Sequence, residues 1–298
     1  MIAIGRETPA RERSSRPSAA LLADTAVRAL RAEARLSPKP GLIDRRGSGA
    51  HDDMDLPLML ASAEALRPTF REIAETAERM TAGVELREEL GALGRLGDQA
   101  MLRATGGINT HRGALWALGL LVAAVAGGAG DEREAARGAA RLAALPDRWI
   151  PAGGPSHGER ARRRYGAGGA RGEAESAFPH VTEVALPRLR QARAAALCEE
   201  VARLDALLEV MSLLEDTCVL HRGGPDGLRV VRFGAERVLA KGGAGTGSGQ
   251  AALMDLDDAL RRRRLSPGGS GDLLAAALFL DMVPWPERPE QEVLACRR

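Results

Sequence analysis

The sequence predicts an all-α protein, a single helical domain with Gly-rich functional loops at its helix N-termini. Three observations lead there. Apolar residues recur at helical intervals along most of the chain: Leu197, Val201, Leu204, Leu208 and Met211 step by four, three, four and three. Aromatic residues make up only 3% of a composition that is 45% hydrophobic, so the core is packed from Leu, Ala, Val and Met, whereas strands favour aromatic and β-branched side chains. One run alone, Leu228 to Phe233, reads as a short strand.

Taken in order, residues 1–17 are polar and Arg-rich without a period, which predicts a mobile arm. The helical domain is expected over 18–284, and 285–298 form a C-terminal tail. Helical patterns cover 18–35, 56–82, 85–104, 111–126, 131–145, 183–217, 251–264 and 271–282. Gly113 to Gly130 carries no charge, but it is Ala/Gly-rich with five glycines. It reads as a buried helix, because a membrane span needs about 20 strongly apolar residues.

Charge and cysteine content narrow the function classes. A net charge of +2 is not that of a polycation built for nucleic acid. Cys198, Cys218 and Cys296 are odd in number and have no metal-ligand spacing, and no signal peptide opens the sequence. A cytoplasmic location is the simplest expectation.

The unusual chemistry lies between the helices, in 37–55, 105–112, 151–180, 216–224 and 266–272, and all five histidines fall there. The stretch PKPGLIDRRGSGAHDDMD holds Lys39, one of two lysines in the chain, with Asp44, His51, Asp52, Asp53 and Asp55. Asp55 suits a helix cap and Pro57 the first turn behind it. Dipole complementation accounts for one acid but not for the group. Asp53 and Asp55, two apart, can point the same way outside a helix and hold one Mg²⁺ with phosphate ligands.

TGGINTHRGALW sets Gly106 and Gly107 before a cap, Asn109 or Thr110, with His111 in the first turn; helix N-termini attract phosphate through free N–H groups. SPGGSGDLLAAALFL repeats the arrangement, with Gly268 and Gly269 as an anion nest, Ser270 as cap and Asp272 behind it. EDTCVLHRGG closes the 183–217 helix. Its apolar stripe continues onto Glu215 with Asp216 on the flank, so a carboxylate approaches the interior, where it needs a metal or a partner such as His221 or Arg222. In 151–180, His157, Glu159, Arg160, Arg171 and Glu173 make a lid or phosphate clamp. Arg162 to Arg164 read as a solvated face, as do Arg261 to Arg264 after Asp257 and Asp258 on a surface helix. KGGAGTGSGQ lacks the residue order of a P-loop.

Together and in order, the blocks PKPGLID…GAHDDMD, ATGGINTHRGALW, SHGERARRRYG…GARGEA…FP, EDTCVLHRGG and LSPGGSGDLLA resemble the triphosphoribosyl-dephospho-CoA synthase family from about residue 37 to 280. The resemblance implies transfer of the 5-triphosphoribosyl group of ATP to the 2′-hydroxyl of 3′-dephospho-CoA with release of adenine. The product is the prosthetic-group precursor of malonate decarboxylase or citrate lyase. Malonate decarboxylase is the expected pathway, because no second transferase domain is fused to the sequence. Its holo-acyl-carrier-protein synthase is then the recipient, with no nucleic-acid or membrane partner.

The matching positions are Lys39, Pro40, Asp44, His51, Asp53, Asp55, Asn109, His111, His157, Arg171, Glu173, Asp216, Arg222, Ser266, Gly268, Gly269 and Asp272. They imply catalysis by His51, His111, Glu173 and Asp216. Asp216 or Glu173 would meet the hydroxyl proton or the cationic sugar, and His51 or His111 would protonate adenine. ATP and its phosphates would fall to Lys39, Asn109, His157, Arg171, Arg222, Ser266, Gly268, Gly269 and Asp272, and Mg²⁺ to Asp44, Asp53 and Asp55. Gly47 stands where the family usually shows Asn, and Cys218 where Asn follows Asp-Thr; each loses a polar contact. His51-Asp52 on a helical scaffold also fits an HD-type metal-dependent nucleotide phosphohydrolase, which would release phosphate from ATP. An Arg-rich nucleic-acid or scaffold protein would leave the acidic cluster unexplained.

Overall fold

The computed structural model describes residues 16–150 and 157–286, so most of the expected arm and tail lies outside the described residues. The described chain runs α1 (Ala19–Arg35), α2 (Leu56–Ala65), α3 (Arg67–Arg79), α4 (Val84–Ala104), α5 (Arg112–Ala126), α6 (Glu132–Ala144), α7 (His157–Tyr165) and α8 (Gly169–Glu175). A π-helical turn, His180–Ala185, leads into α9 (Leu186–Ala194), α10 (Glu199–Leu213), α11 (Thr217–Ala240), α12 (Gly247–Arg262) and α13 (Gly268–Met282). Among the described residues there is no strand, only an isolated bridge between Asp44 and Gly47.

Two helices form the centre. In α5 every residue from Ala114 to Ala126 is buried except Trp116, and in α13 burial is unbroken from Leu273 to Leu280. A helix apolar on all sides must lie inside, and both do: α13 packs on α1, α5 and α10, and α5 also meets α3 and α6. No described helix is long and apolar enough to cross a membrane.

Several expected boundaries move. The 56–82 pattern is two helices meeting at Leu66, with Pro68 in the first turn of the second. The 183–217 pattern is broken at Ala195–Cys198, where Ala196 takes a positive φ of 58°. Leu228–Phe233, read as a strand, lies inside α11; the bundle supplies a helical neighbour and no strand to pair with. Region 151–180, read as irregular, holds α7 and α8.

Candidate active site

The site grows from helix starts. Asp216 caps α11, its Oδ1 accepting from the backbone N–H groups of Cys218 at 2.9 Å and Val219 at 3.4 Å. Its Oδ2 accepts from Ser270 N at 2.8 Å and Ser270 Oγ at 3.0 Å, in the first turn of α13. Asp272, one turn into α13, accepts in its turn from Ala114 N in the first turn of α5. Two carboxylates thus stitch the N-termini of α11, α13 and α5 together, each satisfying N–H groups that a helix start leaves free. Ser270, expected as a cap, is instead fully buried inside α13 as Asp216's partner, and Pro267 occupies the cap position.

A buried ion pair closes the fourth side. Lys39, 1% exposed, reaches Glu33 of α1 with Nζ–Oε1 at 2.5 Å. Glu33 also faces α13, where a Cβ on Gly271 would lie 3.1 Å from its Oε1. The sequence alone did not single out Glu33. It does continue the buried stripe Leu22, Ala26, Leu30 of α1, the signal that drew attention to Glu215 and Asp216. Glu215 itself is exposed.

The loop carrying Lys39 is fixed from below. Asp44 accepts from Lys39 N (2.8 Å), Arg46 N (2.7 Å) and the Arg46 guanidinium, and Asp257 accepts from Gly41 N at 2.9 Å while pairing with Arg46 and Arg261. Asp257, read as a surface acid, is 2% exposed. Gly41 (φ 70°) and Gly49 (φ 59°) sit where a Cβ would strike backbone oxygens of Leu265 and Leu42 at 2.5 and 2.4 Å, so the fold admits only glycine there.

These bonds correct the expected metal set. The donors of Lys39 and Arg46 occupy Asp44, and hydrogen bonding holds its carboxyl below the usual range despite burial. Asp53 is exposed, 3.6 Å from His51 Nδ1, and Asp55 caps α2 through Leu58 N at 2.9 Å, as its position before Pro57 led us to expect. Among the described residues no three His, Cys, Asp or Glu side chains are gathered for a metal. Asp44, with its oxygens taken by these donors, does not fit a metal ion, while Asp53 and Asp55 keep exposed carboxylates.

Both site histidines are shifted toward the neutral form. His51 places Nε2 2.8 Å from Ser266 Oγ and Nδ1 3.2 Å from Arg222 Nη2. A guanidinium only donates, so Nδ1 accepts and Nε2 carries the hydrogen. Burial, then the Arg222 charge, lowers the His51 pKa. His111, the cap residue of α5, is 3% exposed and bonds Ser62 Oγ through Nδ1 at 2.8 Å. Burial, aided by the charge of Lys39, pushes it down to about 3. Its Nε2 is buried without a hydrogen-bond partner among the described residues.

The remaining expected residues are spread around this centre. Asn109 accepts from Arg112 N at 3.2 Å in the first turn of α5. Arg222 also bonds Arg264 O, Asp52 pairs with Arg264, and Gly268 and Gly269 face Cys218 and Asp216. Arg171 is exposed and pairs with Glu175 along α8. Glu173 is committed to His180, accepting from its N at 2.9 Å with Nδ1 at 2.7 Å. α8 reaches the centre through Gly169, where a Cβ would meet Thr217 at 3.3 Å, and through Ala170 O, which accepts from Trp116 Nε1. His157 begins α7; its side chain lies outside what is described. An open groove of about 480 Å³ lined by Arg28, Arg31, Arg35, Arg45 and Arg203 shares no residue with the cluster. The glycine-rich 241–250 stretch is structural: Thr246 caps α12 and Asp205 accepts from Ala244 N.

The arrangement gathers carboxyls and imidazoles around three helix starts, whose residual positive field attracts a polyanion. Comparison with known proteins shows the family. The family model for ATP:dephospho-CoA triphosphoribosyl transferase matches residues 19–290. The chain is similar to the probable 2-(5''-triphosphoribosyl)-3'-dephosphocoenzyme-A synthase of Azotobacter vinelandii, with 56% identity over 272 residues, 89% of this chain and 92% of that protein. It is similar to 2-(5''-triphosphoribosyl)-3'-dephosphocoenzyme-A synthase of Klebsiella pneumoniae, with 53% identity over 264 residues, 88% of this chain and 94% of that protein. No solved structure matches.

Proposed function

The chain belongs to the ATP:dephospho-CoA triphosphoribosyl transferase family, and from that premise we propose how its site works and which pathway it serves. The protein is a transferase, a triphosphoribosyl-dephospho-CoA synthase. Its substrates are then ATP and 3′-dephospho-CoA. The triphosphoribosyl group passes to the 2′-hydroxyl and adenine leaves. The resemblance of the sequence blocks gives malonate decarboxylase or citrate lyase as the product's destination, and we take malonate decarboxylase, through a holo-acyl-carrier-protein synthase, as the pathway to test. Supplying the product with that synthase and the apo carrier protein should add the prosthetic-group mass to the carrier.

The observation that carries the site reading is the meeting of three helix N-termini around Asp216 and Asp272. The reaction breaks the C1′–N9 bond and leaves the triphosphate intact. The protein therefore has to hold phosphates without attacking them while the sugar passes through an oxocarbenium-like state. The residual positive field of the helix starts, with Gly268, Gly269, Asn109 and Arg222, suits the phosphates. Lys39 contributes its charge from inside, locked on Glu33. Mg²⁺, when bound, would neutralise phosphate charge from Asp53 and Asp55. Asp216, its oxygens taken by four donors, organises the site and lends a negative field to the sugar. Arg171, Glu173 and His157 belong to the α7–α8 edge, which would close over the substrate.

The test is incubation with ATP and dephospho-CoA, followed by chromatography and mass analysis. Adenine and a triphosphoribosylated dephospho-CoA are expected. Phosphate or pyrophosphate release without adenine would instead establish the phosphohydrolase reading. Asp53→Asn should lower turnover at least about tenfold with helicity unchanged, if the cation is held there.

A further inference from the structure

We propose that Asp272 is the proton donor to the departing adenine and then takes up the proton of the attacking hydroxyl, a role that rests on the transfer reaction described above. Among the described residues three carboxyl groups surround the first turns of α13, and Asp272 is the least engaged of them. Asp216 is 2% exposed and accepts from four donors. Glu33 is 6% exposed and held by Lys39. Asp272 accepts from Ala114 N and keeps an edge accessible to solvent. It lies flat against the first turn of α5: a Cβ on Gly113 would fall 2.0 Å from its Oδ2.

A second observation, at the same end of α5, points to a ligand. His111 caps the same helix, and its buried Nε2 has no partner among the described residues. Leaving a buried polar atom unpaired is costly, and a purine presents ring nitrogens and an amino group able to satisfy it. With Nδ1 engaged by Ser62, the neutral ring can orient the base but cannot supply a proton near neutrality.

The step balances within the site. The C1′–N9 bond breaks with its electron pair leaving on adenine, and the Asp272 O–H proton passes to a ring nitrogen. The 2′-hydroxyl oxygen bonds to C1′ and its proton goes to the Asp272 carboxylate, which ends as it began. The charged and titratable groups facing Asp272 are Glu33 of α1 and Asp216 and Cys218 at the start of α11; Lys39 pairs with Glu33 behind them, and His111 lies two residues before Gly113 of α5. Enclosure, followed by the negative charges of Glu33 and Asp216, holds the Asp272 carboxyl well above the ordinary carboxylate range, while the Ala114 N–H opposes them. A carboxylic acid kept protonated in this way can act as an acid at neutral pH.

Adenine release by the wild type, Asp272→Asn and Glu33→Gln is measured over roughly pH 5–10, with circular dichroism on each. Asp272→Asn should lose at least about a hundredfold in kcat, with KM for ATP within about threefold. Glu33→Gln should shift the alkaline limb of kcat to lower pH, because Asp272 surrenders its proton sooner without that neighbouring charge. Gly113→Ala, which displaces the Asp272 carboxyl, should cut kcat at least about tenfold, and it serves if Glu33→Gln does not fold. Turnover by Asp272→Asn within about tenfold of wild type overturns the proposal, as does an unmoved alkaline limb in folded Glu33→Gln or wild-type kcat in Gly113→Ala. If the wild type itself releases no adenine, the transfer reading falls instead.

Discussion

Asp216 is engaged on both oxygens, one by the start of its own helix and the other by Ser270. Replacing it with Asn sets an amide N–H₂ against backbone N–H groups whichever way the amide turns. Asp216→Asn should therefore lose about 1–3 kcal/mol, read from the urea midpoint. The approach of this acid to the interior was legible, because the stripe of the preceding helix runs toward it. Its partner was not. Ser270 carries a local capping signal, and nothing in the nearby sequence discloses an acceptor 54 residues away. Glu33 escaped for the same reason: one of two acids in an Arg-rich amphipathic helix, it looks solvated until the opposing helix is known.

His111 gives a residue-scale pH dependence. Its folded pKa of about 3 lies below the unfolded value near 6.5, so between them the unfolded chain binds the proton and stability falls as pH falls. Asp272, raised in the fold, acts in the opposite sense, so only a difference isolates the imidazole. Between about pH 6 and 4, the wild type should lose about 1.4 kcal/mol per pH unit more than His111→Gln, measured by urea unfolding at each pH.

At the scale of elements, the helices were legible wherever an apolar period met a cap or a breaker. Asp55 with Pro57 marks the start of α2 correctly. The long 183–217 pattern misled because α9 and α10 both keep the period across their break; the discontinuity lies in the backbone at Ala196. Val230, Val231 and Phe233 suit a strand by type, yet α10 and α12 flank them and the run stays helical. The glycine-rich turn before α12 is tighter than its composition implies. A Cβ on Gly249 would lie 1.8 Å from the carbonyl oxygen of Gly243, a backbone atom that cannot step aside. Gly249→Ala should destabilise by about 3 kcal/mol or more, seen as a lower thermal midpoint, with the site residues untouched.

For the molecule as a whole, the class of fold was readable from composition and period. The convergence was not, since it depends on α13 lying between α1, α5 and α10. Lys39 and Glu33 sit within that convergence, with side chains 1% and 7% exposed. Removing one partner of such a pair strands the other charge. Lys39→Met should cost about 3–5 kcal/mol, and adding Glu33→Gln should return part of it, both measured by denaturant unfolding.

Lys39 also has an unusual chemical distinction. Of the chain's 42 basic residues only it and Lys241 bear an ε-amine, and Lys241 is exposed. An acylating reagent would tag Lys241 at once and Lys39 only when the loop lifts away from Glu33. The lag between the two labels, followed by peptide mass mapping, would clock the breathing of the site from a native amine with no probe added.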